Sequence, residues 1–151
     1  MNVQDKPKGS RERTLDEVKA EFMRRAGKLN PFEDIKPADA ETVMTSLKNL
    51  DKDHWAEEWS RIGLGYEAKG DAAAKAGVKG KELTELYMHA FDACRVGRYP
   101  PPNSPGKLAA YQHSPRLFRQ AAAHFDPPLD TLEVPSHGQK PGARPPTPPA
   151  A

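Results

Sequence analysis

Proline placement limits this chain more than any other feature. Each proline lacks a backbone N–H and fixes φ, so it interrupts helices and is excluded from central strands. Eight of the 16 prolines fall between Pro127 and Pro149. Residues 143–151 therefore read as a proline-rich, disordered tail, and regular structure has to come earlier. Residues 1–13 are polar, carry Pro7 and Gly9, and show no periodicity, so they read as a disordered N-terminus.

Between these ends the apolar period is helical. Leu15, Val18, Phe22, Ala26 and Leu29 share a face, with Thr14 as the cap and Asp16 and Glu17 in the first turn. Pro37 opens a second helix as its first residue, with Ala40, Val43, Met44, Leu47 and Leu50 as its stripe. Asp51 or Asp53 caps a third, with Trp55, Trp59, Ile62 and Tyr66 on one face and a break at Gly70-Asp71 or at Gly77 and Gly80. The fourth, from about Lys81 to Val96, carries the cleanest stripe: Leu83, Leu86, Tyr87, Ala90, Phe91 and Cys94. Ser104-Pro105 restarts a helix that Ser114-Pro115 either kinks or splits, and Leu117, Phe118, Ala121, Ala122 and Phe125 line its second half. Residues 131–134 alternate in polarity and predict a short strand. The expected fold is all-α: a bundle of five to six helices over residues 14–126, then a linker and strand over 127–142.

Composition and motifs remove several function classes. Charges number 23 basic and 21 acidic, a net of +2, which supports neither nucleic-acid binding nor a polybasic membrane anchor. Residues 97–125 nevertheless hold Arg98, Lys107, Arg116 and Arg119 with no acid, whereas 31–60 are acid-rich. The expectation is that these two stretches meet as complementary faces, within the fold or between subunits, with a basic face for an anionic partner as the alternative. A single cysteine, Cys94, excludes a disulfide framework or a multi-cysteine metal site, and its place in the fourth stripe makes it a small buried hydrophobe. The five histidines lack helical metal-ligand spacing, so no metal and no cofactor is expected. No apolar run is long enough for a membrane span, and the N-terminus has no signal-peptide core, so a cytoplasmic location is expected. Gly63-Leu64-Gly65 and Gly77-Val78-Lys79-Gly80-Lys81 look like phosphate loops. Neither follows a strand, and Glu82 stands where Ser or Thr is needed. They read instead as a close helix contact and a helix–helix turn. No serine has glycine at both −2 and +2, so the chain holds no nucleophile elbow and no catalytic residue is assigned.

Two resemblances remain. Trp59-Ser60-Arg61-Ile62-Gly63-Leu64-Gly65-Tyr66 resembles the first helix of a tetratricopeptide repeat, W-x2-L-G-x2-Y, but Lys75 falls where the second helix needs a small residue. That resemblance implies a helical adaptor binding a peptide or protein partner. The other is longer. Trp55-x3-Trp59, Gly70-Asp71, Glu82-Leu83-x3-Tyr87-x2-Ala90, Arg98-Tyr99-Pro100, Ser104-Pro105-x-Lys107-x2-Ala110-Tyr111, Leu117-Phe118-x2-Ala121-Ala122 and Asp126-Pro127-Pro128-x4-Leu132-Glu133-Val134-Pro135 follow one another in order. This series, with Gly138 and Pro141-Gly142, resembles the N-terminal helical cap of a bacterial α/β-hydrolase family over roughly residues 53–142. That family includes fermentation–respiration switch protein-like esterases and 2,6-dihydroxypseudooxynicotine hydrolase.

The resemblance implies a helical lid over a Ser-His-Asp site that hydrolyses an ester, acyl or C–C bond of a small-molecule substrate. It also implies a homodimer. The strand at 131–134 would open the hydrolase sheet, and the chain is expected to be truncated before the catalytic domain and inactive by itself. Trp55, Trp59, Tyr66 and Tyr111 are the candidates for lining a substrate pocket, with packing inside the bundle as their competing role. An isolated cap is also expected to expose an apolar patch at Leu117, Phe118 and Phe125 and to associate through it.

Overall fold

Five helices carry the fold in a computed structural model that describes residues 11–135. They are α1 (Leu15–Arg25), α2 (Pro37–Ser46), α3 (Lys52–Lys75), α4 (Lys81–Gly97) and α5 (Pro105–Ala122). Among the described residues no helix is long and apolar enough to cross a membrane. The local capping signals are mostly realised at the helix starts. Thr14 and Glu17 form a reciprocal capping box on α1, and Asp51, rather than Asp53, caps α3 by accepting from the Asp53 and His54 amides. Ser104 accepts from the Lys107 amide, so α5 begins at Pro105 as its first residue.

The long helices α3, α4 and α5 form the body. Gly63 lies against Cys94, Gly70 against Tyr87 and Gly97 against Trp59, so α3 and α4 run antiparallel. Phe91 packs on Phe118, and Tyr87 stacks on His124, so α5 runs antiparallel to α4. The α3–α4 approach is close because Gly63 has no side chain. A Cβ there would sit 2.5 Å from Cys94 Sγ and 2.9 Å from the Ala90 carbonyl oxygen. Helices α1 and α2 close one end. Phe22, Phe32, Ile35, Val43, Met44 and Leu47 join Trp59, Ala93 and Val96 in the largest buried cluster.

Several expectations are corrected. Helix α3 does not break at Gly70-Asp71; it continues to Lys75, and the turn lies at Gly77 and Gly80, whose φ values are +85° and +69°. Helix α5 is not split at Pro115. That residue is exposed, so the backbone bond it removes lies on the outer face, while the buried Ser114 hydroxyl donates to the Ala110 carbonyl at 3.1 Å. Leu29 and Leu50 leave their stripes, because α1 and α2 end before them and both are exposed.

Residues 131–134 form no strand. They are exposed, with Leu132 at 82% and Val134 at 70%, and no second strand among the described residues offers a ladder. Of the three residues expected to form an apolar patch, Leu117 is fully buried against Ala90 and Cys94, whereas Phe118 and Phe125 are half-buried. Phe118 stands between Phe91 and Phe125 at ring distances of 5.5 and 6.0 Å, so the three rings form a partly exposed aromatic row. The acid-rich and basic stretches meet mainly through Asp53, which accepts from the Gly106 amide; Arg116 pairs instead with Glu67 on α3. Of the disordered ends expected at residues 1–13 and 143–151, residues 1–10 and 143–151 lie outside the described residues, as do Gly138 and Pro141-Gly142; residues 11–13 are exposed and irregular, with Arg11 paired to Glu17.

One buried acid sets a pH dependence. Asp92 on α4 is 6% exposed and pairs with Arg95 at 3.5 Å, with the Asp34 and Glu33 carboxylates also acting on it. Burial pushes its carboxyl up from 3.8 to about 6, against the opposing pull of Arg95. The folded state therefore keeps a proton that the unfolded chain releases between these values. This group weighs on stability above pH 6 and ceases to do so below about pH 4. Asp92→Asn is expected to raise stability at pH 8 by about 2 kcal/mol, with the gain vanishing below about pH 4. Denaturant titrations of both proteins across that range check it; a difference independent of pH would refute it.

Candidate functional site

The four aromatic candidates do not share a pocket. Trp59 is 0% exposed and packs against Phe22 and Trp55 at ring distances of 5.2 and 6.0 Å. Its indole N–H is buried and has no partner among the described residues. Tyr66 is half-buried, and its hydroxyl donates to Asp39 at 2.6 Å, tying α3 to α2. Burial and the Asp39 carboxylate both raise the Tyr66 phenol above its ordinary range. Tyr111 is 46% exposed on the outside of α5 under the Arg98 guanidinium. Three of the four are therefore core, strut and surface residues. Only Trp55 lines a cavity.

That cavity is built at a junction of helix starts. Trp55 lies in the first turn of α3, where its indole N–H donates to the Val96 carbonyl at 3.0 Å and fixes the ring. Val18 of α1, Leu50 and Lys52 at the start of α3, Tyr99 and Pro100 of the α4–α5 connector, and Lys107 complete a space of about 200 Å³. Leu50, Lys52 and Tyr99 are exposed and form the rim, while Lys107 is 6% exposed. A smaller space of about 120 Å³ lies across Val18, Trp55 and Tyr99, between Phe22, Phe32, Arg13, Glu21 and Arg25.

The electrostatics of the larger cavity are one-sided. The start of α5 docks on the start of α3 through the Gly106 amide, which donates to Asp53 Oδ1 at 2.7 Å. The Ser104 hydroxyl, followed by this bond, holds the Asp53 carboxyl below its usual range. Asp51 is likewise engaged, by the Asp53 and His54 amides. Both carboxylates are thus committed to backbone N–H groups. The Lys107 ammonium has no hydrogen bond or ion pair among the described residues. Burial, with Lys52 nearby, pulls its ammonium below the ordinary lysine range.

Neither lysine is among the four expected lining residues; Lys107 is marked in the sequence as one cation of the basic stretch 97–125 and as part of the Ser-Pro-x-Lys segment. The available signal was their position: Lys52 is the first residue of α3 and Lys107 the third of α5. A cation in the first turn opposes the positive end of the helix dipole.

Other reactive groups are placed without partners for catalysis. Cys94 is fully buried, and burial pushes its thiol up to about 12, the state of an inert packing residue. His89 stacks near Tyr66 at 5.2 Å and is held below its ordinary range by burial. Ser46 and Ser114 donate to backbone carbonyls of their own helices, and no serine bonds a histidine among the described residues. Nor do three potential metal ligands gather there. No protein-family model, curated protein or solved structure matches this chain.

Proposed function

We propose that this chain is the helical cap of an α/β-hydrolase-type enzyme, a unit that receives a small-molecule substrate while the hydrolytic groups are supplied outside these residues. One observation carries the reading. Three separate segments of the hydrolase-like series supply walls of the same cavity: Trp55 from the tryptophan pair, Tyr99-Pro100 from the connector, and Lys107 from the Ser-Pro-x-Lys segment. Segments distant in sequence converge on a recess of ligand type, apolar with a few polar groups. In a hydrolase such a recess would hold the part of the substrate remote from the scissile bond, and the helices would keep water from it.

The adaptor reading fares less well on geometry. A tetratricopeptide hairpin turns after its first helix, whereas α3 runs unbroken from Lys52 to Lys75. Trp59, which would shape the repeat, is wholly buried in the body of the bundle, so it offers nothing to a peptide groove.

Two measurements test the proposal. The purified chain is expected to give no turnover of p-nitrophenyl acetate or butyrate above the buffer rate; sustained, purification-independent turnover would overturn it. Genomic DNA beyond the Ala151 codon is expected, in one of its frames, to encode alternating strands followed by G-x-S-x-G. Finding no such pattern would remove the hydrolase context.

A further inference from the structure

We infer that the cavity between the starts of α3 and α5 is a binding site for a small organic acid: an anionic head held by Lys107 and Lys52, and an apolar or single-ring body against Trp55, Val18, Leu50 and Pro100. The binding stands on the geometry alone. That such an acid is the acyl portion of a substrate or product rests on the hydrolase reading above.

Lys107 costs the fold stability where it stands. A buried ammonium is normally paired or hydrogen-bonded, because taking it out of water unpaired is expensive. Lys107 is 6% exposed as a residue, and its ammonium, which keeps a little solvent contact at the recess, has neither kind of partner among the described residues. Its position adds to the penalty. It is the third residue of an 18-residue helix, where the aligned peptide dipoles already present positive charge. Lys52 repeats the anomaly as the first residue of the 24-residue α3. The two helix starts are joined by the Asp53–Gly106 bond, so both dipoles and both ammoniums act on one recess. The nearby Asp51 and Asp53 soften this potential but are occupied by amides. An anion entering the recess relieves each of these penalties together, whereas a cation or neutral solute relieves none.

The walls and the size select the rest of the ligand. Val18, Leu50, Trp55, Tyr99 and Pro100 offer aliphatic and aromatic surface with few polar atoms, which disfavours a bare phosphate or sulfate. The volume is about 200 Å³. An apolar cavity of about 150 Å³ accommodates benzene, so the recess matches one ring or a short acyl chain bearing a carboxylate.

Phenylacetate and its neutral isostere phenylacetamide serve as probes on the full chain at pH 7. Binding is followed through the Trp55 indole N–H and the Gly106 and Lys107 amide signals in ¹⁵N NMR. Phenylacetate is expected to shift these signals saturably, and phenylacetamide to bind at least about ten-fold more weakly. Lys107→Met removes the ammonium while keeping the buried apolar stem. It is expected to weaken phenylacetate by about ten-fold or more, leaving phenylacetamide unaffected, with thermal stability equal or higher. Lys52→Gln, at the exposed rim, changes no core packing and is expected to weaken phenylacetate about three-fold. No saturable shift below about 10 mM, equal binding of acid and amide, or full affinity in both variants would each overturn the inference. Because none of these readouts involves hydrolysis or neighbouring DNA, they fail or succeed separately from the cap proposal.

Discussion

Truncating Trp59 to alanine is expected to cost about 4 kcal/mol, the largest loss from any single side chain in this protein. The indole is 0% exposed and lies where three helices meet, between Phe22 of α1, Trp55 of its own helix and Gly97 of α4. Alanine would lose the transfer energy of the ring and leave a void that the surrounding helices can close only in part. A domain of this size has about 5–15 kcal/mol in total, so the variant should unfold at a much lower denaturant concentration, with part of the population unfolded in buffer. The companion Tyr111→Ala, on the exposed face of α5, should stay within about 0.5 kcal/mol of the parent. Denaturant midpoints measured by circular dichroism decide the matter. Similar midpoints for the two variants would mean that Trp59 is not a core residue and would reopen a ligand-lining role for it.

Substitutions at the two glycines of Gly63-Leu64-Gly65 should move stability in opposite directions. At Gly63 a Cβ would meet Cys94 Sγ at 2.5 Å and the Ala90 carbonyl oxygen at 2.9 Å. The second contact is backbone, so it cannot be relieved by a rotamer change, and α4 would have to move away from α3. Gly63→Val is expected to cost about 3 kcal/mol through this displacement. Two residues on, a Cβ at Gly65 meets nothing within 4 Å. Gly65→Ala removes the backbone entropy penalty of a mid-helix glycine and should add up to about 1 kcal/mol. Unfolding curves for the pair provide the check; a shared sign would contradict the close α3–α4 contact.

These pairs also show what could be read ahead of the structure. Helix starts were legible because their chemistry is local. Thr14 with Glu17, Asp51 before α3 and Ser104 before Pro105 each satisfy amides no more than three residues away. Gly63 was legible as a close contact, and Cys94 as a buried hydrophobe, because each sits on an apolar helical stripe. The strand at 131–134 was misread because alternation in four residues fixes no partner, and a strand exists only as part of a ladder. Leu117 is buried, rather than exposed beside Phe118 and Phe125, for a related reason. Its stripe signals burial, but not that Ala90 and Cys94 of the same chain supply the cover.

The site was harder to read than the helices. Of Trp55, Trp59, Tyr66 and Tyr111, ring type alone did not separate a core residue from a lining residue, since all are large, amphipathic and at helical spacing. Tyr66 in particular became a strut because Asp39, 27 residues earlier, came within 2.6 Å of its hydroxyl. The lysines were invisible as lining residues for the opposite reason: lysine is common on surfaces, and Lys107 matters only through being buried.

The sequence by itself determined where helices begin, which faces are apolar, and that no nucleophile elbow lies within the 151 residues, because each follows from spacing and local hydrogen bonding. Tertiary structure alone decided that the starts of α3 and α5 abut, that Lys107 is buried there with its ammonium unpaired among the described residues, and that Trp55 rather than Trp59 faces the recess. Burial and electrostatic potential at a point depend on every element packed around it, and no local pattern in the chain encodes that sum.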